Sequence, residues 1–143
     1  MGEVNVEESL LVGAPPDVVY RVLADPTHHA RILPEAYTNY APEDDAVISF
    51  SLKIGSIKRD FKVQTEQTEP NKLFREIDLQ TNILTEFRLV PHEQGTVVTI
   101  ATHYKTDRSI SGFMESLFAP TFRRQLYKEE LVKLGRYVLL QSG

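Results

Sequence analysis

The sequence predicts an α+β fold in which a curved, seven-stranded antiparallel sheet wraps around a long C-terminal helix. Across residues 109–141, apolar residues recur at spacings of three and four, which is the pattern of an amphipathic helix. Between residues 36 and 105, short runs of alternating polar and apolar residues are separated by turn residues, as in antiparallel strands. A first strand and two short helices precede this region, so the predicted order of elements is β-α-α-β6-α.

The composition indicates one domain that spans residues 1–143. A hydrophobic content of 41% and a charged content of 25% are ordinary for a globular protein. The net charge of −4, with acids and bases interspersed, gives no basic surface for nucleic acid. No run approaches the roughly 18 apolar residues of a membrane span, and the N-terminus lacks the features of a signal peptide. We therefore expect a cytoplasmic protein without nucleic-acid binding or integral membrane association, and the sequence leaves its oligomeric state open.

The first strand and the two short helices are predicted within residues 3–33. Residues 3–12 alternate between polar and apolar side chains, so one face of that strand is expected to be buried. Pro16 can begin the first helix, because the N–H that proline lacks would be unpaired there. Thr27 can cap the second helix, and Pro34 ends it. These helices are expected to close one end of the sheet.

Six further strands are predicted from alternation and turn signals. Gly55-Ser56 is a hairpin signal, and residues 69–72 and 92–95 are rich in turn formers. The predicted strands cover residues 36–40, 47–54, 57–66, 73–79, 83–90 and 96–105.

The predicted C-terminal helix contains a break near Pro120, because proline cannot donate to the helical backbone and clashes with the preceding turn. Charged residues, Arg123 and Glu130 among them, are expected to occupy the exposed surface of this helix. The apolar face is predicted to consist of Ile110, Phe113, Met114, Leu117, Tyr127, Leu131, Leu134 and Val138.

Two segments carry a resemblance to a known family. Residues 9–36, SLLVGAPPDVVYRVLADPTHHARILPEA, combine a strand, an Ala-Pro helix start, a Leu-Ala-Asp-Pro corner and a Leu-Pro exit. Residues 85–100, TEFRLVPHEQGTVVTI, form the hairpin before the last strand. Together with the order of elements, these segments resemble the START-like superfamily, also called SRPBCC, whose architecture is the helix-grip fold. Its members include polyketide cyclases, coenzyme Q-binding proteins, StAR-related lipid-transfer domains and the birch pollen allergen family.

A strongly twisted sheet closed by one helix can leave a hollow between the two layers. Arg59 shares the strand phase of Ile57 and Phe61, and Arg75 shares that of Leu73, so the pattern predicts that both arginines point into the hollow. Each could pair with an acid or reach the rim, which is the favoured interpretation. Alternatively, either arginine could anchor the polar end of a mainly apolar ligand.

We expect the protein to bind a small hydrophobic or lipid-like molecule in this hollow, for transport or sequestration, without a cofactor. The predicted lining combines apolar and aromatic residues with the two arginines: Phe50, Leu52, Ile57, Arg59, Phe61, Arg75, Phe87, Tyr104, Phe113, Met114, Leu117 and Tyr127.

A second hypothesis is an enzyme of the polyketide cyclase, aromatase or dehydratase type, in which Arg59 stabilises an enolate and Tyr104 or a histidine moves a proton. Cyclases of the resembled superfamily use a Ser-x-Arg pair to position the polyketide, and here Ser56 and Arg59 are three residues apart. No catalytic residue is therefore assigned. A third hypothesis is a protein-interaction module like the chaperone-activating members of the superfamily.

The histidines lack metal-ligand spacing and the chain has no cysteine, so no metal site is predicted. His28 and His29 lie near the predicted cavity entrance, where proton transfer is conceivable. Arg123 and Arg124 interrupt the apolar stripe of the C-terminal helix. A solvent-exposed helix face explains this interruption more simply than an inward-pointing basic group.

Overall fold

The computed structural model describes residues 3–105 and 118–142, and its elements follow the predicted order. Helix α1 spans Pro16–Ala24, and α2 spans Pro26–His29 and is followed by a 3₁₀ turn at Ala30–Ile32. The long C-terminal helix, α3, spans Pro120–Ser142. The strands are β1 (Glu3–Val12), β2 (Tyr37–Pro42), β3 (Val47–Ile54), β4 (Ile57–Glu69), β5 (Leu73–Asp78), β6 (Leu84–His92) and β7 (Gly95–Lys105).

All seven strands form one curved antiparallel sheet in the order β1-β7-β6-β5-β4-β3-β2. Consecutive strands from β2 to β7 are neighbours, whereas β1 pairs with β7 along its whole length, from Glu3↔Lys105 to Val12↔Thr96. The sheet therefore has β1 and β2 as its edges. The predicted α+β architecture, with seven antiparallel strands and a long C-terminal helix, is confirmed.

Helix α3 lies against the inner face of the sheet, closest to β1. Its side chains at three- and four-residue spacing are almost fully buried, as the amphipathic pattern predicts for residues 127–138. They pack on Val6, Val98 and Ile100 from the two neighbouring strands β1 and β7. Burying each large aliphatic side chain stabilises the fold by about 1.5–3 kcal/mol. The buried stripe of α3 contains Leu126, Tyr127, Leu131, Leu134 and Val138.

Helix α1 closes one end of the sheet through both apolar and polar contacts. Val19, Val22 and Leu23 are buried in the common core. The Tyr20 hydroxyl donates a hydrogen bond of 2.9 Å to the carbonyl of Leu73, which ties α1 to the start of β5. This end of the molecule is therefore held in place beside the inner face.

The start of α2 differs from the sequence prediction. Asp25, rather than Thr27, is the N-cap, and its Oδ1 accepts hydrogen bonds from the Thr27 backbone N–H at 2.9 Å and from the Thr27 hydroxyl at 2.8 Å. Pro26 occupies the first helical position, where its missing N–H is not needed, and this moves the cap back by two residues. The predicted capping role of Thr27 was wrong.

Gly95 allows the β6–β7 turn to meet the end of β1. Its φ is +143°, and a Cβ atom at this position would lie 2.0 Å from the carbonyl oxygen of Val12. Any larger residue would force β7 away from β1. The turn predicted at residues 92–95 is present, and its last position requires glycine for steric reasons.

None of the helices in the part of the chain that the structure describes is long and apolar enough to cross a membrane. In the sheet, polar residues dominate the outer face, and the edge strand β2 is short and irregular. Its register with β3 shifts between Thr38 and Ala41, and Asn39 adopts a positive φ of 56°. Such irregularity discourages pairing with the strand of another molecule.

Candidate functional site

A small enclosed cavity lies between the inner face of the sheet and the first half of α3. Its volume is about 30 Å³, room for about two water molecules. Aromatic rings form one side of the cavity and titratable side chains form the other. The lining residues are Tyr37, Phe50, Phe61, Val63, Glu76, Asp78, Ile83, Thr85, Phe87, Phe118, Arg123, Tyr127 and Glu130.

Several larger grooves in the described part of the chain are open to solvent. One, of about 670 Å³, lies over Ser49, Ser51, Asp60 and Lys62 on the outer face of the sheet. Another, of about 550 Å³, lies beside the exposed side of α3. Buried titratable groups gather in the small cavity rather than in these grooves, which makes the cavity the candidate site.

The aromatic side of the cavity is built by strand register. Phe50 on β3 is directly opposite Phe61 on β4, and their rings stack with centroids 5.5 Å apart and planes 18° apart. Phe118 meets Phe61 edge-on at 6.2 Å, and Tyr37 packs against Phe50 at 5.1 Å. Such pairs add attraction beyond their buried area.

Three titratable side chains meet at the opposite side: Glu76 and Glu130 line the cavity, and His29 contacts both of them without lining it. His29 comes from the end of α2, Glu76 from β5 and Glu130 from α3. His29 Nε2 lies 3.5 Å from Glu130 Oε2 and 3.8 Å from Glu76 Oε2. His29 is 2% exposed and Glu130 is 3% exposed, so water screens these charges weakly.

The orientation of His29 shows where a proton must be. His29 Nδ1 lies 2.7 Å from the carbonyl oxygen of Leu23. Because a carbonyl only accepts, Nδ1 must carry hydrogen. A neutral imidazole would then direct the lone pair of Nε2 toward two carboxyl groups. The geometry therefore requires an additional proton on Nε2 or on one of the carboxyls.

The pKa values place that proton on the imidazole. Burial disfavours the charged form, but the Glu130 carboxylate beside Nε2 and the charge of Glu76 outweigh burial and raise the pKa of His29 to about 9. Burial also raises the pKa of Glu76 to about 7, against the opposing charge of His29. Glu76 can therefore give or take a proton near neutral pH.

Glu130 has an unusual role within this cluster. At 3.5 Å its contact with His29 Nε2 is an ion pair without hydrogen-bond geometry. Within residues 3–105 and 118–142, Glu130 Oε2 is a buried side-chain oxygen that has no hydrogen-bond partner. Buried acceptors are normally paired, so this atom marks a place where a donor is missing.

Arg123 supplies a positive charge to the same cavity. Its side chain is 8% exposed, and its guanidinium carbon lies 4.2 Å from the centre of the Phe118 ring, a cation–π contact. Burial raises the pKa of Tyr37 well above its ordinary value, against the opposing charge of Arg123. Tyr37 is therefore a neutral phenol beside a cation at neutral pH.

A row of hydroxyl groups continues from the cavity toward β6 and β7. The Thr85 and Thr102 hydroxyls are 3.0 Å apart, and the Thr102 hydroxyl is hydrogen-bonded to the Tyr127 hydroxyl. These groups satisfy one another within the layer between sheet and helix. They fix the Tyr127 ring against the cavity.

The structure brings four of the predicted lining residues together at the cavity: Phe50, Phe61, Phe87 and Tyr127. Leu52 is fully buried nearby, and the buried Tyr104 donates its hydroxyl hydrogen to the carbonyl of Phe118, so these two residues pack the core without lining the cavity. The predicted positions Phe113, Met114 and Leu117 lie outside the described residues.

Ile57 and Arg59 do not line the cavity. The register pairs Arg59 with Leu52 and Ile57 with Ile54, so their strand phase is the inner one, as predicted. Both residues are nevertheless exposed, because they lie next to the β3–β4 turn, where the hairpin ends in solvent. The expectation that they line the hollow was wrong for this reason.

The predicted inward orientation of Arg75 was also wrong. Phe74 is buried in the core, so its neighbour Arg75 lies on the outer face. There Arg75 Nε lies 3.1 Å from Glu86 Oε2 on the adjacent strand β6. The strand β5 has apolar residues on both faces, which made its phase ambiguous, and Glu76 takes the inward position.

The expectation that Arg123 and Glu130 occupy the exposed surface of α3 was wrong as well. Both lie on its buried side with Tyr127. The sequence did contain a signal for this: Arg123, Tyr127, Glu130 and Leu134 follow one another at spacings of four, three and four, the rhythm of the apolar stripe. This spacing was not recognised as a sign of burial, because polar residues were assumed to be exposed.

His29 was noted as a histidine near the cavity entrance, and the structure places it deep in the core instead. His28 lies nearer the surface, where its Nδ1 is 2.7 Å from the Tyr137 hydroxyl. In the described part of the chain, no group of three or more His, Asp or Glu side chains is arranged to hold a metal ion.

The helix-grip architecture and the buried site define a START-like, or SRPBCC, protein, as the sequence resemblance implied. Residues 3–138 match the family described as polyketide cyclase / dehydrase and lipid transport, and the chain belongs to that family. Comparison with curated protein sequences gives no significant match.

Solved structures with the same fold include three informative cases. The KanY protein, solved by NMR, is 25% identical and superposes with a TM-score of 0.83, over 97% of this chain and 99% of its own. The di-domain ARO/CYC protein StfQ from the steffimycin biosynthetic pathway is 12% identical, with a TM-score of 0.76 over 99% of this chain and 52% of its own. Norcoclaurine synthase from Thalictrum flavum is 14% identical, with a TM-score of 0.72 over 99% of this chain and 98% of its own. The similarity to StfQ and to norcoclaurine synthase shows only that the fold is shared.

Proposed function

We propose that the protein binds a small hydrophobic or lipid-like molecule between the sheet and α3. The observation that carries this proposal is the two-sided lining of the enclosed cavity. Stacked Phe50 and Phe61 offer an apolar wall, and Glu76, Arg123 and Glu130 offer a polar one. Small-molecule sites generally combine an apolar lining with a few convergent polar groups. The family description, which includes lipid transport, supports the same class of function.

Binding requires the cavity to enlarge. A volume of about 30 Å³ is well below the roughly 150 Å³ of a cavity that accommodates benzene. The aromatic rings must therefore change rotamer, or α3 must move away from the sheet, when a ligand enters. We expect the protein to bind by an induced fit in which part of the ligand's binding energy is spent on this rearrangement.

Native mass spectrometry of protein purified from its own host, followed by organic extraction, tests the proposal. We expect a co-purifying or saturable apolar compound at one molecule per chain. The chain has no tryptophan, so Phe50→Trp places a single fluorescent reporter in the cavity wall. Its emission should change as the extracted compound is titrated.

Val90→Trp is the matched control, because Val90 is an exposed residue that does not line the cavity. Its emission should stay constant over the same titration. Equal changes for both tryptophans, or no saturable compound at all, would count against binding in the cavity.

A second candidate function is a cyclase- or dehydratase-type enzyme, and the specific observation that favours it is Glu76. This carboxyl group, whose pKa burial raises to about 7, shares a closed cavity with Arg123. Glu76 could remove a proton from a carbon next to a carbonyl while Arg123 stabilises the enolate. These two residues would take the roles first considered for Tyr104 and Arg59.

Hydrogen–deuterium exchange of the methyl protons of acetophenone, followed by NMR in D₂O, tests this second candidate. The wild-type protein should accelerate the exchange, and Glu76→Gln should reduce it to the background rate. Glu86→Gln is the control, because Glu86 lies on the outer face in contact with Arg75. If Glu76→Gln exchanges as fast as the wild type, Glu76 is not the base.

A further inference from the structure

The unpartnered oxygen of Glu130 indicates what kind of group the cavity accepts. Glu130 is 3% exposed, it lines the cavity, and its Oε2 is without a hydrogen-bond partner among the described residues. A buried carboxylate oxygen can only accept a hydrogen bond, so the group that completes it must be a donor.

The charged groups around Glu130 limit which class of hydrogen-bond donor can bind there. Glu76 faces the cluster from β5, His29 from α2, and Arg123 from α3. A third carboxyl group in the lining, that of Asp78, accepts hydrogen bonds from two backbone N–H groups at 2.8 and 3.4 Å. The other two carboxyl groups are set against two bases, so the part of the cavity around Glu130 has no strong excess of either sign. An added carboxylate would face Glu76 and Glu130, and an added ammonium would face His29 and Arg123. A neutral hydroxyl avoids both repulsions.

The aromatic wall determines what carries that hydroxyl. Phe61 and Phe87 line the same cavity as Glu130, and Phe61 is already stacked on the ring of Phe50. A flat ring entering beside them would gain further aromatic contacts while its substituent reached Glu130. A hydroxyl on an aromatic or enol-type ring matches both sides of the cavity.

We propose that Glu130 Oε2 is the acceptor for a neutral hydroxyl group of the ligand, so that the cavity selects hydroxylated aromatic molecules over the corresponding ethers and carboxylates. This inference rests on the proposed binding function and specifies its ligand chemistry. His29 acts as a positioning residue: the Leu23 carbonyl fixes its ring, and the ring holds the Glu130 carboxylate through the ion pair.

Three small probes that differ in one substituent test the inference: phenol, anisole and benzoate. Titration of the wild-type protein, with the side-chain carboxyl carbons of glutamate labelled with ¹³C, reports both affinity and location. We expect phenol to bind at least about tenfold more tightly than anisole, the effect of losing a hydrogen bond to a charged group. Benzoate should bind more weakly than phenol. The Glu130 carboxyl resonance should move with phenol and remain in place with anisole.

Two variants at neighbouring positions test whether Glu130 is responsible for the preference for phenol over anisole. Glu130→Leu removes the acceptor with little change in volume, and it should abolish the preference for phenol over anisole. Glu129→Leu is the control, because Glu129 is an exposed residue that contacts Gln125 on the outside of α3. It should keep the wild-type preference. If Glu130→Leu fails to fold, the wild-type comparison of phenol with anisole still decides the question.

The outcomes separate this inference from the binding function on which it rests. Equal affinities of the wild type for phenol and anisole would overturn the hydroxyl preference and leave cavity binding intact. Tighter binding of benzoate, or phenol binding that leaves the Glu130 resonance unmoved, would overturn it too. If none of the three probes binds, both the inference and the binding function for small aromatic molecules are refuted.

Discussion

His29, Glu76 and Glu130 meet between the sheet and α3, and this environment raises the pKa values of His29 and Glu76. Their separations of 3.5 and 3.8 Å would be unremarkable at a surface, where such pairs contribute little. In the core, each charge has lost its water and depends on the others. The arrangement is therefore costly for stability and is the part of the core that a purely structural role explains least.

The pH dependence of stability follows from this cluster. The folded protein raises the pKa of Glu76 from 4.5 to about 7 and that of His29 from 6.5 to about 9. In both cases the folded state holds its proton more tightly than the unfolded state. Stability is therefore highest at low pH with respect to these groups and falls as pH rises, first between 4.5 and 7 and then between 6.5 and 9.

We expect the free energy of unfolding, measured with urea, to fall by on the order of 3 kcal/mol for each of the two groups as it loses its proton. Arg123, Tyr37 and Glu130 face the same groups, and because burial raises the pKa of Tyr37 well above its ordinary value, its phenol stays neutral over the pH range in which they lose their protons. Glu76→Gln should flatten the lower part of the curve, whereas the exposed Glu129→Gln should leave the curve unchanged. A wild-type stability that rises between pH 5 and pH 8 would contradict the protonation states assigned here.

Phe61 is the residue where the cavity and the core meet. It is almost fully buried, stacked on Phe50 and met edge-on by Phe118. Because the cavity beside it is small, most of its atoms have packing partners. We expect Phe61→Ala to reduce the free energy of unfolding by about 3 kcal/mol or more. Ile57→Ala, an exposed position on the same strand, should change it by less than about 0.5 kcal/mol.

The result for Phe61 also bears on function. If Phe61→Ala costs as little as Ile57→Ala, the aromatic wall is loosely packed and the cavity is larger in solution than its volume of about 30 Å³. A loss of about 3 kcal/mol or more in the free energy of unfolding would indicate a tightly packed aromatic wall, which must rearrange to admit a ligand. Urea denaturation of both variants at one pH decides between these cases.

Among the elements, the sheet could be predicted closely because alternation and turn residues agree along most of the chain. Strand β5 is the exception, since Leu73 and Ile77 lie on one face and Phe74 on the other. A pattern that is apolar on both faces does not define a phase, and only pairing with β4 and β6 resolves it. For that reason the sequence did not predict that Glu76 points inward.

Helix α3 shows the complementary problem. Its apolar stripe predicted which side is buried. Arg123 and Glu130, however, were predicted to be solvent-exposed, because charged residues are seldom buried. Glu130 is ion-paired with His29, which lies about a hundred residues away in sequence, and Arg123 packs on the ring of Phe118. Contacts of this kind cannot be read from local periodicity, so the polar half of the site was not predicted.

The β6–β7 turn provides a test at the scale of elements. Gly95 has a φ of +143°, and a Cβ there would collide with the Val12 carbonyl oxygen. We expect Gly95→Ala to lower the free energy of unfolding by about 2 kcal/mol or more, through strain and loss of β1–β7 pairing. Gly55→Ala is the matched control: its φ is +60°, and nothing lies within 4 Å of the added Cβ.

The two glycine variants separate backbone strain from steric collision. Gly55→Ala should carry only the cost of an unfavourable φ, about 1 kcal/mol. Thermal or urea denaturation of both variants measures the difference. Equal destabilisation by the two substitutions would show that β1 and β7 adjust around the added methyl group.

For the whole molecule, the closed cavity predicts slow ligand association. A ligand must wait for the aromatic wall or α3 to move, so we expect association rate constants below about 10⁵ M⁻¹s⁻¹, the low end for unhindered encounters. Phe61→Ala should speed association, because it enlarges the cavity. Stopped-flow fluorescence with the Phe50→Trp reporter measures both rates. Association of the wild type near the diffusion limit would mean that the site is open in solution.

The pairing of β1 with β7 has a consequence for how the protein is made. The Ser9 and Thr99 hydroxyls, hydrogen-bonded at 2.7 Å, are separated by 90 positions along the chain. During synthesis the first strand leaves the ribosome long before its partner exists, and α3, which packs on the core beside both, is made after β7. The nascent chain must therefore remain without its complete core until β7 and α3 have been made. Until then the apolar face of the first strand is available to chaperones, and the native pairing of β1 with β7 forms only after β7 has emerged.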